Sequence, residues 1–195
     1  MIRLFSPSGT PPNFTTFFTT FAGNNMPRYA TICYHMPRNE RKFEIMIKIL
    51  FVCHGNICRS PMAEYILKHI TATRGIADQF YIASAATSYE EIGNPVYPPA
   101  RTELAKHGIG CSGHAARKLV KSDFEEYDYL IAMEQYNLRN IRREFGDALA
   151  KQVSLLLDYT DTPGDIDDPW YTGSFGVTYE EITRGCEGLL EHLGF

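Results

Sequence analysis

From residue 46 onward the chain alternates short apolar runs with amphipathic stretches, and this alternation restricts its fold more than any other feature. IKILFVC (47–53) has the length and composition of a buried strand. SPMAEYILKHITATRG (60–75) reads as a helix with Met62, Ile66, Leu67 and Ile70 on its apolar side, and Ser60 and Pro61 suit its N-cap and first turn. FYIASAAT (80–87) is a second strand and PPARTELAKHG (98–108) a second helix closed by Gly108. KSDFEEY makes a helical turn, DYLIAM (128–133) a third strand, QYNLRNIRREFG (135–146) a third long helix, QVSLLLDY (152–159) a fourth strand, and TYEEITRGCEGLLEHL (178–193) a last helix. Strands alternating with helices predict an α/β fold, a parallel sheet covered on both faces. In such sheets ligands bind beyond the carboxyl ends of the strands.

Residues 1–45 lack this order. MIRLFSPSGTPPNFTTFFTTFAGNN mixes Pro, Gly, Asn and Thr with Phe and has neither helical nor strand periodicity, so little stable structure is expected there and the domain is placed at 46–195. The extension carries five Lys/Arg against two Asp/Glu, net +3, and the remainder carries 14 against 21, net −7. Pro11, Pro12 and repeated Thr interrupt the apolar stretch, and no small-residue cleavage site follows, which argues against a secretion signal. Met26, Met36 and Met46 are alternative starts. Five cysteines, Cys33, Cys53, Cys58, Cys111 and Cys186, are an odd number without regular spacing, unlike a disulfide framework or a closed zinc site. No stretch approaches the ~20 apolar residues of a bilayer span. A cytoplasmic protein is expected, with no metal, cofactor, membrane or nucleic-acid partner.

The chemistry is concentrated in VCHGNICRS (52–60), between the first strand and the first helix. A strand-to-helix loop points several backbone N–H groups at one spot, and the helix dipole adds positive potential, so the loop is an anion cradle. Gly55 allows close backbone approach, Asn56 tolerates a left-handed conformation, and Arg59 offers two parallel N–H donors to phosphate oxygens. Such a potential favours the thiolate of a cysteine at its centre, here Cys53, and a thiolate beneath a phosphoryl group is a positioned nucleophile. Singly, Cys53 and Cys58 fit small buried hydrophobes. Packing gives no reason for Gly55, Asn56 and Arg59 at this spacing.

These residues resemble the low-molecular-weight protein tyrosine phosphatases. The resemblance spans residues 46–195 and is most specific in VCHGNICRSPMAE, with further matches in SAATS, GHAARKL (113–119), DYLIAM with NLRNIRR behind it, and DDPWYTG (167–173). It implies a three-layer α/β/α fold with a four-stranded parallel sheet, no metal, and hydrolysis of a phosphorylated protein or small aryl phosphate through a phosphocysteine. Cys53 is then the nucleophile, Arg59 binds phosphate, and Ser60 supports the thiolate as leaving group. His54, Gly55, Asn56, Ile57 and Cys58 complete the phosphate loop, with Ser84 and His114 buttressing it around Asn56. A phenolate leaves poorly unless protonated, and Asp168 of DDPW matches the family's acid, with Asp167 as the alternative. An Asp-Pro pair alone marks only a turn. Trp170 and Tyr171 are expected to wall a substrate ring or, failing that, to shield the core. Cys58 is either packing or a partner for a reversible disulfide with Cys53. Cys111 and Cys186 are expected to be structural.

The chain departs from the family pattern in two places. Glu90 and Glu91 occupy a rim where some members carry an aromatic, and Glu134 stands where Asp is commoner; neither is expected to touch the reaction. Arsenate reductases share the fold but relay electrons through further closely spaced cysteines, which Cys111 and Cys186 are not. A non-catalytic phosphate-binding module would not need Cys53, Arg59 and an acid together. Protein-arginine phosphatases resemble this sequence closely but carry threonine where Ile57 stands. An apolar Ile57 favours a flat phenyl ring over a guanidinium, so phosphotyrosine is the expected substrate.

Overall fold

The computed structural model describes residues 46–195, so the extension expected at 1–45, with Cys33 in it, lies outside the described residues. In chain order the elements are β1 (Ile47–Cys53), α1 (Arg59–Thr73), β2 (Phe80–Ala86), α2 (Pro98–Lys106), α3 (Asp123–Glu126) and β3 (Tyr129–Ala132). Then follow α4 (Gln135–Phe145), α5 (Asp147–Ala150), β4 (Val153–Leu155), α6 (Pro169–Thr172) and α7 (Phe175–Leu193).

β1 is apolar on both faces because successive side chains point to opposite sides of the sheet. Ile49 and Phe51 enter one core cluster with Met62, Ile66 and Leu67 of α1 and Ile182 and Leu189 of α7. Leu50 and Val52 enter a second with Phe124 of α3 and Ile141 of α4. The result is the three-layer α/β/α arrangement, and each large apolar side chain fully buried in it contributes about 1.5–3 kcal/mol.

The four strands lie in the order β2-β1-β3-β4, all parallel. From β1 the chain crosses to β2 on one side, then returns past β1 to β3 on the other. The connections therefore diverge between β1 and β3, and a crevice opens beyond their carboxyl ends. Cys53 closes β1 at this edge, opposite Ala86 of β2, and Met133 and Glu134 follow β3 at the same edge.

Two expectations need correction. The fourth strand stops at Leu155, which pairs with Ala132, the last residue of β3. With no partner beyond that point, Leu156–Tyr159 coil into a 3-10 helix that buries Leu156 and Leu157. Ser60 is not the cap of α1, which begins at Arg59 after Cys58. Its hydroxyl donates instead to Cys53 Sγ, 3.1 Å away. Among the described residues no helix is long and apolar enough to cross a membrane.

Candidate active site

The loop from His54 to Cys58 wraps the end of β1 around the Cys53 sulfur. Asn56 makes the wrap possible, with φ of 58°, the one non-glycine positive φ among the described residues. Asn tolerates this conformation better than most residues, and here each of its polar groups is engaged. Its backbone N–H points to Cys53 Sγ at 3.2 Å. Its side-chain Nδ2 donates to Ser60 Oγ at 2.9 Å and to Ser84 Oγ at 2.8 Å. Its Oδ1 accepts from the Arg117 backbone N–H at 3.1 Å, and its carbonyl accepts from His114 Nε2 at 2.7 Å. Ser84 passes its own proton to Glu64 Oε2 on α1, at 2.5 Å. The network runs from Glu64 through Ser84, Asn56 and Ser60 to Cys53, and a fully satisfied buried network of this kind holds one loop conformation.

Arg59 is the largest fully buried side chain, only 1 % exposed. Its Nη1 donates to the Ile166 carbonyl at 3.0 Å, and its Nη2 to Glu134 Oε1 at 2.7 Å and Asp168 Oδ2 at 2.5 Å. Burial works to lower its pKa, but the Cys53 charge, the hydrogen bond to Glu134 and the Asp168 charge outweigh burial and hold the guanidinium above its ordinary value. Glu134 was missed as a site residue by sequence reasoning, although it follows β3 at the same sheet edge as Cys53. The Ile166 carbonyl carries no side-chain signal at all.

The cleft in front of the loop holds about 160 Å³. It is lined by the loop residues Cys53, His54, Gly55, Ile57, Cys58 and Arg59, by Glu90 and Glu91 from the segment after β2, and by Asp168, Trp170 and Tyr171 at the start of α6. Larger hollows of about 510 and 660 Å³ elsewhere contain no cysteine. One of about 340 Å³ has Cys111 in its lining but no carboxylate, and burial holds that thiol above its ordinary value. Asp168 caps α6, its Oδ1 accepting from the Trp170 backbone N–H at 3.1 Å, so the short helix aims the carboxylate. Asp167 does not line the cleft; its charge adds to burial in raising the pKa of Glu181. Trp170 is 53 % and Tyr171 85 % exposed, too open to shield the core. Trp170 packs against Tyr97 with centroids 4.8 Å apart. Ser60, Ser84 and His114 bond to Asn56 and support the loop through it, and none of these four lines the cleft.

The two cysteines of the loop have different surroundings. Burial pushes the Cys58 thiol well above its ordinary value, and the charges of Cys53 and Asp168 push it further, against Arg59. Cys58 therefore stays protonated at neutral pH. Cys53 instead receives the Asn56 N–H and the Ser60 hydroxyl. All four cysteines among the described residues are free and buried, Cys111 and Cys186 away from the cleft.

A parallel α/β domain with a cysteine-centred anion loop at its switch point, and a carboxylic acid on a separate loop, has the parts for phosphoryl transfer. Comparison with known proteins narrows the class. Residues 48–194 match the family model described as low molecular weight phosphotyrosine protein phosphatase, and the chain belongs to that family. The low molecular weight protein-tyrosine-phosphatase YfkJ of Bacillus subtilis is 39 % identical over 147 residues, covering 74 % of this chain and 94 % of the relative. Its crystal structure superposes with a TM-score of 0.73 at 38 % identity, covering 76 % of this chain and 95 % of that one. The low molecular weight phosphotyrosine protein phosphatase of Gallus gallus is 40 % identical over 149 residues, covering 73 % of this chain and 93 % of the relative. The Drosophila arginine phosphatase has the same fold, with a TM-score of 0.68 at 32 % identity, covering 76 % of this chain and 99 % of that one.

Proposed function

We propose that the protein hydrolyses phosphotyrosine in two steps through a phosphocysteine on Cys53. The observation that carries this reading is the Cys53 sulfur at the centre of the loop, receiving two hydrogen bonds, with Arg59 and Asp168 facing the same cleft. In the first step the thiolate attacks phosphorus, the P–O bond to the tyrosine breaks, and the Asp168 carboxyl gives its proton to the leaving oxygen. The backbone N–H groups of the loop and the Arg59 guanidinium hold the phosphoryl oxygens as charge spreads over them. In the second step a water attacks phosphorus, Asp168 takes its proton, and the P–S bond breaks. The thiolate leaves onto the Asn56 N–H and Ser60 O–H that held it at the start.

Arg59 has two carboxylate partners, and they have different tasks. Glu134 and the Ile166 carbonyl anchor the guanidinium from behind, while Asp168 occupies the direction from which a phosphate arrives. An incoming phosphoryl group takes the place of Asp168 on Arg59 and frees that carboxyl to carry a proton to the leaving group.

Substrate class turns on Ile57, which is 8 % exposed, contacts the cleft and packs in a cluster with Cys58 and Ala116. A phenyl ring lies against this surface with Trp170 and Tyr171 across from it. Against Ile57 itself a guanidinium would turn N–H groups onto carbon, at a cost of roughly 1–3 kcal/mol, while Glu90 and Glu91, which line the same cleft, pull the other way. The likeness to an arginine phosphatase makes phosphoarginine the reading to test against. The full-length protein should hydrolyse a phosphotyrosine peptide more efficiently than the phosphoarginine equivalent, and Ile57→Thr should shift the ratio towards phosphoarginine. A parent enzyme that favours phosphoarginine would overturn the substrate class and leave the chemistry of Cys53, Arg59 and Asp168 standing.

A further inference from the structure

The mouth of the cleft carries two carboxylates that are held in place. Glu90 extends into solvent, its side chain 71 % exposed, and its Oε2 accepts from His54 Nε2 at 3.1 Å. A carboxylate only accepts, so the proton of this bond is on Nε2. His54 Nδ1 is sealed from solvent and has no hydrogen-bond partner, so the bond to Glu90 is the one hydrogen bond of the ring, which also packs against Tyr136. Glu91 Oε2 accepts from Asn94 Nδ2 at 2.7 Å. Its stem lies on the phosphate loop itself: a Cβ on Gly55 would stand 3.2 Å from Glu91 Cγ. The charge of Glu91 is felt inside, where it contributes to raising the pKa of Cys58.

The backbone of this rim is also tied down. Ser88 N–H donates to the His54 carbonyl at 3.0 Å, Asn94 N–H to the Glu91 carbonyl at 2.9 Å, and Gly93 N–H to the Ala116 carbonyl at 2.8 Å. Positive charge within the cleft comes from Arg59, which is buried and committed to phosphate. Arg139 stands over the Tyr136 ring, which is 6.0 Å from His54, but does not line the cleft. Trp170 and Tyr171 line the same cleft with aromatic side chains, and Asp168 adds a further carboxylate.

We propose that Glu90 and Glu91, the first held by His54 and the second by Asn94, form a cation-reading rim. The rim selects phosphotyrosine substrates with a basic residue beside the phosphotyrosine over those with an acidic one. This rests on the proposed phosphotyrosine activity and adds a preference among its substrates. Exposed charge pairs are individually weak, worth roughly up to fivefold each, but pre-positioned carboxylates lose little side-chain entropy on pairing. A neighbouring glutamate is disfavoured by the same charges.

The test uses the full-length protein and three phosphotyrosine peptides that differ only in a lysine, alanine or glutamate beside the phosphotyrosine. At low ionic strength kcat/KM should favour lysine over glutamate by about five- to tenfold, and the ratio should fall towards one in ~1 M salt, where the Debye length is ~3 Å. The double variant Glu90→Gln/Glu91→Gln should bring the ratio close to one at low salt. His54→Leu should reduce it partway, because Glu90 is then untethered. Each ratio is internal to one preparation, so a loss of folded protein cancels; should the double variant fail to fold, the salt series on the parent decides. A parent ratio of one, a preference for glutamate, or a preference that survives in the double variant would overturn the rim, while hydrolysis of the alanine peptide keeps the proposed function. Failure to hydrolyse the alanine peptide would overturn the proposed function and the rim with it.

Discussion

At the scale of the residue, the site divides into groups visible in the sequence and groups visible only in space. The loop residues were legible because nine consecutive positions carry the whole cradle, and no packing requirement accounts for Gly55, Asn56 and Arg59 together. Ser84, His114 and Asp168 were legible only through family resemblance, since an isolated Ser, His or Asp-Pro has commoner structural uses. Glu134 and the Ile166 carbonyl were not legible: both meet Arg59 only because β3 and the segment before α6 end at the edge where β1 ends. The aim of Asp168 provides a sharp test. Asp168→Ala should slow turnover of a phosphate ester with a poor leaving group by roughly 10²- to 10⁴-fold, and one with an acidic leaving group much less. Asp167→Ala should have little effect on either, because Asp167 lies outside the cleft. If Asp167→Ala were the more damaging substitution, the acid would be misassigned by one residue.

At the scale of the element, the order and type of helices and strands followed from periodicity, and the ends did not. Ser60 looks like a cap from its position before Pro61, but Cys53 Sγ competes for its hydroxyl and α1 starts earlier. The apolar run at 152–159 reads as one strand, but strand length is set by the partner, and β3 ends at Ala132. The chain then packs so closely beneath α7 that glycine is required. A Cβ on Gly188 would stand 2.2 Å from the Tyr159 carbonyl oxygen, and one on Gly185 2.5 Å from Leu156 Cγ. Gly188→Ala should therefore destabilise the fold by about 1–3 kcal/mol, although alanine is the better helix former by ~1 kcal/mol. Gly176→Ala in the first turn of the same helix meets only Glu103 Oε1 at 3.8 Å and should be neutral or slightly stabilising. Urea denaturation of both variants checks the pair, and equal effects would contradict the close approach at Gly188.

At the scale of the whole molecule, the sheet order brings the Cys53 loop, Arg59 and Asp168 to one crevice, and the core beneath sets how stability varies with pH. Burial raises the Cys186 thiol well above its ordinary 9.0, with Glu187 adding to the shift. Cys58 is raised in the same way, first by burial. Tyr127 is pushed from an ordinary 10.0 up to about 12, again first by burial and against Arg117. Each folded-state value lies above the unfolded one, so the unfolded chain loses these protons first. The stabilisation is complete below about pH 9 and is lost as pH rises towards the folded values. The urea midpoint should accordingly fall between pH 8 and pH 11, and Cys186→Ala should flatten part of that slope; an unchanged midpoint would contradict the burial of these groups. The central claim, a covalent phosphocysteine on Cys53, is tested most directly by acid-quenching the full-length protein during turnover of an aryl phosphate with a chelator present, then mapping the phosphoryl group by peptide mass. The expected result is a phosphoryl increment on the peptide carrying Cys53, with no increment and no turnover in Cys53→Ser; turnover by Cys53→Ser at the parent rate, or a phosphoryl group on any other residue, would contradict it.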